Sequence, residues 1–144
     1  MPFRRTALIV LALLTTLAVP AAAHAGPGFS MPGKRTTCGI LAGGGGLAGG
    51  LYCASSHIDE RTYDGTGIVR LKRTGKAKVV QSGNDLLLLT GGVNHDGSQD
   101  PRPALRDGER WQRQGFTCRN RDGKLTCRRG AHGFALSSDA QRYW

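Results

Sequence analysis

The sequence predicts a mostly β fold: a small, disulfide-stapled antiparallel barrel or sandwich of about six to eight strands with little helix. Three observations predict it. Apolar residues come in short bursts between Gly-rich stretches, as in Ile68-Val69, Val79-Val80 and Phe134-Ala135-Leu136, and bursts bounded by turn signals read as strands. No long segment repeats its apolar residues at helical spacing. Two of the four Cys, Cys118 and Cys127, meet across a hairpin that can be folded on paper.

The chain begins with a segment that does not belong to this fold. Arg4 and Arg5 precede an apolar stretch over 7–19, then Pro20 and small residues up to Ala23-His24-Ala25. This is the order of a secretory signal peptide, with cleavage expected after Ala25 and general secretion favoured over twin-arginine export. The stretch is short and broken by Pro20, so no transmembrane span is expected once the leader is gone. Arg4 and Arg5 are the leader's only Lys or Arg, and it has no acid, so its removal lowers the formal net charge from +10 to +8. Residues 26–144 then form one secreted β-domain, of a size whose modest core gains from covalent cross-links.

Along that domain, 26–33 is a Gly/Pro-containing lead-in, 36–40 a first strand and 51–54 a second. Between them lies a flexible Gly-rich loop at 43–50, bracketed by Cys38 and Cys53. Residues 55–65 are polar loop. Strands at 67–72 and 76–80 form a hairpin around Arg73-Thr74-Gly75. Four consecutive Leu at 86–89 suggest a strand buried on both faces, with a short helix as the alternative that periodicity leaves open. Residues 91–110 are irregular and held extended by Pro101 and Pro103. Trp111 leads into the cysteine hairpin, 131–137 is a last strand, 138–141 starts one helical turn, and Tyr143-Trp144 close the chain.

The cysteine hairpin is the most informative segment. Asp122-Gly123 suits a type I′ turn, which needs positive φ at both central residues. Pairing outward sets Arg121 opposite Lys124, Asn120 opposite Leu125, Arg119 opposite Thr126 and Cys118 opposite Cys127. The cysteines fall at a non-hydrogen-bonded pair, where Cα atoms approach to about 4.5 Å, a separation a disulfide tolerates. Of the three connectivities that four Cys allow, Cys38–Cys53 with Cys118–Cys127 is therefore favoured. Zinc is the rival use of four Cys, but the close C-x-x-C spacing is missing and no metal is expected.

Strand alternation puts Phe116, Cys118, Leu125 and Cys127 on an inner face, and Arg119, Arg121, Lys124 and Arg128 on an outer face with Thr117 and Thr126. A second basic cluster, Arg70, Lys72, Arg73, Lys76 and Lys78, lies on the earlier hairpin. Solvated strand surface that keeps a secreted protein soluble and protects sheet edges accounts for such cations. The sharper reading is polyanion binding by both clusters. An acidic wall or extracellular polymer ranks first; nucleic acid ranks behind, because no aromatics are interleaved to stack bases.

Catalytic signals are weak. H-E-x-x-H, G-x-S-x-G and a phosphate-cradling loop are all absent. Ser55, Ser56, His57 and Asp59 gather the residue types of a triad, but as sequence neighbours, whereas triads assemble from distant segments. Asn94 to Asp100 clusters oxygen ligands without EF-hand spacing. His132, beside a tight turn, is more often bonded to a backbone carbonyl than functional. Enzymatic activity is left open, with the balance against it, and no catalytic residue or cofactor is assigned.

Gly115-Phe116-Thr117-Cys118, Leu125-Thr126-Cys127 and Gly130-Ala131-His132-Gly133-Phe134, followed by Ser137, form a closing pattern. It resembles that of a family of small secreted actinobacterial proteins without an assigned function, G-F-T-C, L-T-C, then G-H-G-F. Phe29, Pro32, Gly33 and Cys38 resemble the family's opening more weakly, and an additional Cys pair frequent there is missing here. The resemblance implies secretion and a disulfide-bonded β-fold; it implies no substrate. The leading functional expectation is thus an extracellular binding module for anionic polymers. A small secreted hydrolase or protease-inhibitor-like effector is the alternative, and an antimicrobial or toxin role follows from charge and export alone.

Overall fold

The structure, a computed structural model, describes residues 23–24, 28–33, 36–44, 46, 48–59, 67–80 and 102–144. The apolar leader stretch, Gly45 and Leu47 of the Gly-rich loop, most of the polar loop after Asp59, the four Leu at 86–89 and the cluster at 94–100 lie outside these residues.

No described residue is helical. The described strands are β1 (Ala23–His24), β2 (Gly28–Ser30), β3 (Thr36–Leu41), β4 (Gly50–Ser55), β5 (Gly67–Lys72), β6 (Lys78–Val80), β7 (Arg110–Arg113), β8 (Phe116–Arg121), β9 (Lys124–Arg129), β10 (His132–Leu136) and β11 (Gln141–Tyr143). They form two open sheets, one in the order β2-β3-β4-β5-β6 and the other β1-β7-β8-β9-β10-β11. Every pairing is antiparallel except that of β1 along β7, and β1 lies ahead of the cleavage expected after Ala25, so the sheet takes in two residues that the sequence reading set outside the fold. Local chemistry explains the tight connections. Gln114 and Gly115 both have positive φ, as do Asp122 and Gly123, so β7-β8 and β8-β9 are joined by two-residue turns whose twist suits a hairpin.

Alternation then builds the interior. Trp111, Cys118, Cys127, Phe134 and Tyr143 stand opposite one another in a row across β7 to β11. The first four are fully buried. This row meets the inner face of the other sheet, Phe29, Cys38, Leu51, Cys53, Val69 and Leu71, in one hydrophobic core. The Phe29 and Trp111 rings, one from each sheet, lie 5.2 Å apart between centroids. Cys38 is bonded to Cys53 and Cys118 to Cys127, with Cα separations of 4.1 and 4.0 Å, as expected for directly opposite residues at close-paired positions. Strand β4 is buried along its whole length, because Tyr52, Ala54 and Ile68 form a smaller apolar cluster on the outer face of its sheet.

Three local expectations are corrected. The segment 26–33 is more than a lead-in: β2 pairs with β3, drawn in by the burial of Phe29. Residues 138–141 make no helical turn. Instead, the Ser137 N–H donates to the Ala140 carbonyl (2.9 Å), which reverses the chain into β11. The irregular stretch also carries structure at its end. Ser30 N–H donates to Pro103 O (3.0 Å) and Leu105 N–H to Ser30 O (2.7 Å), seating the fully buried Leu105 against β2.

Candidate functional site

The outer face of the β7-β8-β9 sheet is built by the same alternation that fills the core. With Phe116, Cys118 and Asn120 inward, Thr117, Arg119 and Arg121 must project outward; with Leu125 and Cys127 inward, Lys124, Thr126 and Arg128 do the same. These outward residues line a groove of about 770 Å³. Sequence reasoning named Arg119, Arg121, Lys124 and Arg128, and all four line it. It missed Arg110, which stands directly opposite Arg119 in the β7-β8 register. The signal was present: a two-residue turn at Gln114-Gly115 dictates that pairing.

Two like-charged pairs therefore face each other across strands, Arg110 with Arg119 and Arg121 with Lys124. Two acids share the groove, Asp122 at the turn and Asp139 from the β10-β11 connection. Arg121 Nε lies 3.8 Å from Asp122 Oδ2, both side chains well exposed, a contact that water screens to little value. The Asp139 carboxyl titrates below its ordinary value of 3.8, first because Ser137 Oγ donates to it (2.8 Å), then through its own backbone amide and the charge of Lys124. It stays ionised at neutral pH and bounds the cationic surface on one side.

The second predicted cluster lies on the other sheet, and none of its members lines this groove. Arg70 and Lys78 stand opposite each other on β5 and β6. Lys72, Arg73 and Lys76 are exposed at that hairpin's end, where Arg73 Nη2 donates to Gln114 Oε1 at 3.4 Å. Arg129, next to Arg128, points the other way: its Nη1 donates to Gln114 O (2.5 Å), and its guanidinium lies 4.8 Å from the Phe116 ring centroid.

Of the residues reminiscent of a triad, the structure sets Ser55 apart and brings the exposed Ser56 into one pocket with His57 and Asp59. Ser55 is fully buried, its hydroxyl bonded to Thr36 Oγ1 (2.7 Å) and accepting from the His57 backbone N–H (3.1 Å). His57 and Asp59 line a polar pocket of about 220 Å³ with Ser137 and Asp139. His132 is half-buried at the start of β10, opposite Arg129. Among the described residues no group of three or more His, Cys, Asp or Glu is placed to hold a metal ion, and no helix is long and apolar enough to cross a membrane.

Compared with known proteins, the chain matches no family model, no curated protein and no solved structure.

Proposed function

We propose that the chain is an exported binding module whose basic groove holds an anionic polymer at or beyond the cell surface. The observation that carries this reading is the pair of like-charged contacts facing one groove. Like charges directly opposite on a sheet destabilise it, and counterions or a polyanion laid across them relieve that repulsion. The spacing suits a linear ligand: cations two residues apart on a strand repeat every ~7 Å, within reach of successive anionic groups. Three of the four predicted groove cations, and Arg110, are arginines, whose planar fork suits bidentate contact with phosphate or carboxylate. Export accords with the leader-like segment and with two disulfides, which persist in oxidising compartments. The closing motif, if it marks kinship with the small secreted actinobacterial family, supports the same compartment. The groove is lined by no aromatic side chain, so base stacking adds nothing and nucleic acid ranks below an acidic wall or matrix polymer.

The test is binding of the oxidised protein to a poly(glycerol phosphate), heparin and duplex DNA at two salt concentrations. Salt-sensitive binding is expected, strongest for the wall-type polymer. If four groove cations meet duplex phosphates, log affinity for DNA falls against log salt with a slope near about −3.6. Binding that ignores salt, or is absent for all three polymers, overturns the proposal.

A further inference from the structure

We propose that the polymer held by the basic groove carries its acid groups on sugar rings, and that Trp144 reads those rings, so that the ligand is an acidic polysaccharide. The inference rests on the groove reading and narrows it from any polyanion to one class. Strand alternation fixes where the ring stands. Phe134 is buried in the core, so its neighbour Gly133 faces outward, and Arg128 of the groove stands directly opposite Gly133 on β9. Gly133 N–H donates to Trp144 O and Trp144 N–H to Gly133 O, both at 2.9 Å, so Trp144 extends the β10-β11 pairing by one residue. Its indole lies over Gly133: a Cβ placed there would come within 2.8 and 3.1 Å of two ring carbons. The residue without a side chain thus leaves a seat for the ring, just outside the groove and in one cross-strand row with Arg128.

Trp111, Phe116, Phe134 and Tyr143 turn into the core, whereas Trp144 stays half-buried on the outer face. Arg142, exposed and opposite Ala135, sets its guanidinium carbon 5.8 Å from the Trp144 ring centroid. That separation is the outer reach of a cation–π contact, so the exposed side chain is easily displaced from the ring. The surface then offers an apolar ring neighbouring two arginines, Arg128 and Arg142. A pyranose is the matching unit. Its C–H groups present an apolar face to the indole, while an acid group at its edge meets an arginine fork. A chain of glycerol phosphates or of acidic amino acids fills the groove but has no ring to stack. Single-stranded nucleic acid stacks successive bases on several aromatics, and the described outer face offers one.

Calorimetry and fluorescence on the oxidised full chain test this with polygalacturonate, which carries one carboxylate per sugar ring, polyglutamate, which has carboxylates and no ring, and oligo(dT). The chain has two Trp and Trp111 is fully buried, so acrylamide quenching reports on Trp144. Polygalacturonate should shield that emission, and polyglutamate should bind without doing so. Trp144→Ala should weaken polygalacturonate binding by about tenfold, the size of one stacking contact. It should leave polyglutamate binding unchanged, which also shows that the groove of the variant is folded. Trp144→Phe, which keeps a ring, should recover most of the loss. Equal losses for both acidic polymers, or no loss for either, overturn the sugar assignment and leave the groove reading standing. So does oligo(dT) binding that depends on Trp144 as strongly as that of polygalacturonate. Binding of none of the three removes both readings.

Discussion

At Gly133 the backbone of β10 passes so close to its neighbours that no side chain fits. A Cβ placed there would lie 2.4 Å from the Cys127 carbonyl oxygen and 2.8 Å from the Trp144 ring. The Trp144 backbone is held to Gly133 by two reciprocal 2.9 Å hydrogen bonds, so the ring cannot simply swing away. Gly133→Ala should therefore destabilise the fold by about 1–3 kcal/mol through overpacking, read as a lowered midpoint in urea at unchanged m-value; a wild-type midpoint would mean that the Trp144 clamp does not form. Asp139 contributes a pH dependence of known sign. Its pKa is depressed in the folded state by the Ser137 hydroxyl, so the stabilisation is present above the unfolded value of 3.8 and is lost as pH falls through the lower folded value. Asp139→Asn should lower stability slightly at neutral pH, leave it unchanged in strong acid and so flatten the profile below pH 3.8, the effect being small because the carboxylate is fully exposed. A steeper acid profile in the variant would contradict this assignment.

The β8-β9 hairpin is the element most legible beforehand, and the reason is physical. Asp122-Gly123 admits few turn geometries, a two-residue turn fixes register, and register determines which thiols meet and which cations project together. Asn120 shows where that legibility stops. Alternation alone puts it inside, but its partner Leu105 belongs to an irregular stretch whose return to the core follows no periodic pattern. Arg110 was readable and unread, since its place follows from a turn at Gln114-Gly115 that carries none of the usual Asn-Gly signature. Two predictions belong to this element. Replacing Cys118 and Cys127 by Ser opens a loop of sequence separation 9, which the chain-entropy model values at about 2.6 kcal/mol; denaturant titration of oxidised wild type against the double variant measures it. Arg119→Glu should move binding and stability in opposite directions. It turns the Arg110 repulsion into attraction and so keeps or raises the melting temperature, while weakening polyanion binding at least tenfold at low salt. Loss of both together would mean that Arg119 serves the fold and not a ligand.

At the scale of the whole molecule, the all-β class, the hairpins and the Cys118–Cys127 pairing were written in local turn chemistry. The division into two sheets was not. Nothing in the β2 or β7 sequences announces that Phe29 and Trp111 will face each other at 5.2 Å, because that contact depends on how two twisted sheets stack. Those stacked faces also determine how the disulfides act. One lies in each sheet, and all four Cys are completely buried in the shared core, so a reductant reaches them only when the sheets separate. The native protein should therefore resist reduction under conditions that reduce an exposed bridge, and lose both bridges together once denaturant opens the core. With both gone, the chain-entropy model removes about 2.6 and about 3 kcal/mol for loops of separation 9 and 15. A domain with a net stability of roughly 5 kcal/mol, the low end of the usual range, would then sit at its folding midpoint at room temperature, and that is the outcome expected for a core this small. Far-UV dichroism and melting after reduction in denaturant and dilution into buffer with reductant would show a broadened, early transition or none. A reduced chain that melts like the oxidised one would mean that apolar contact between the two sheets holds them together without the bridges.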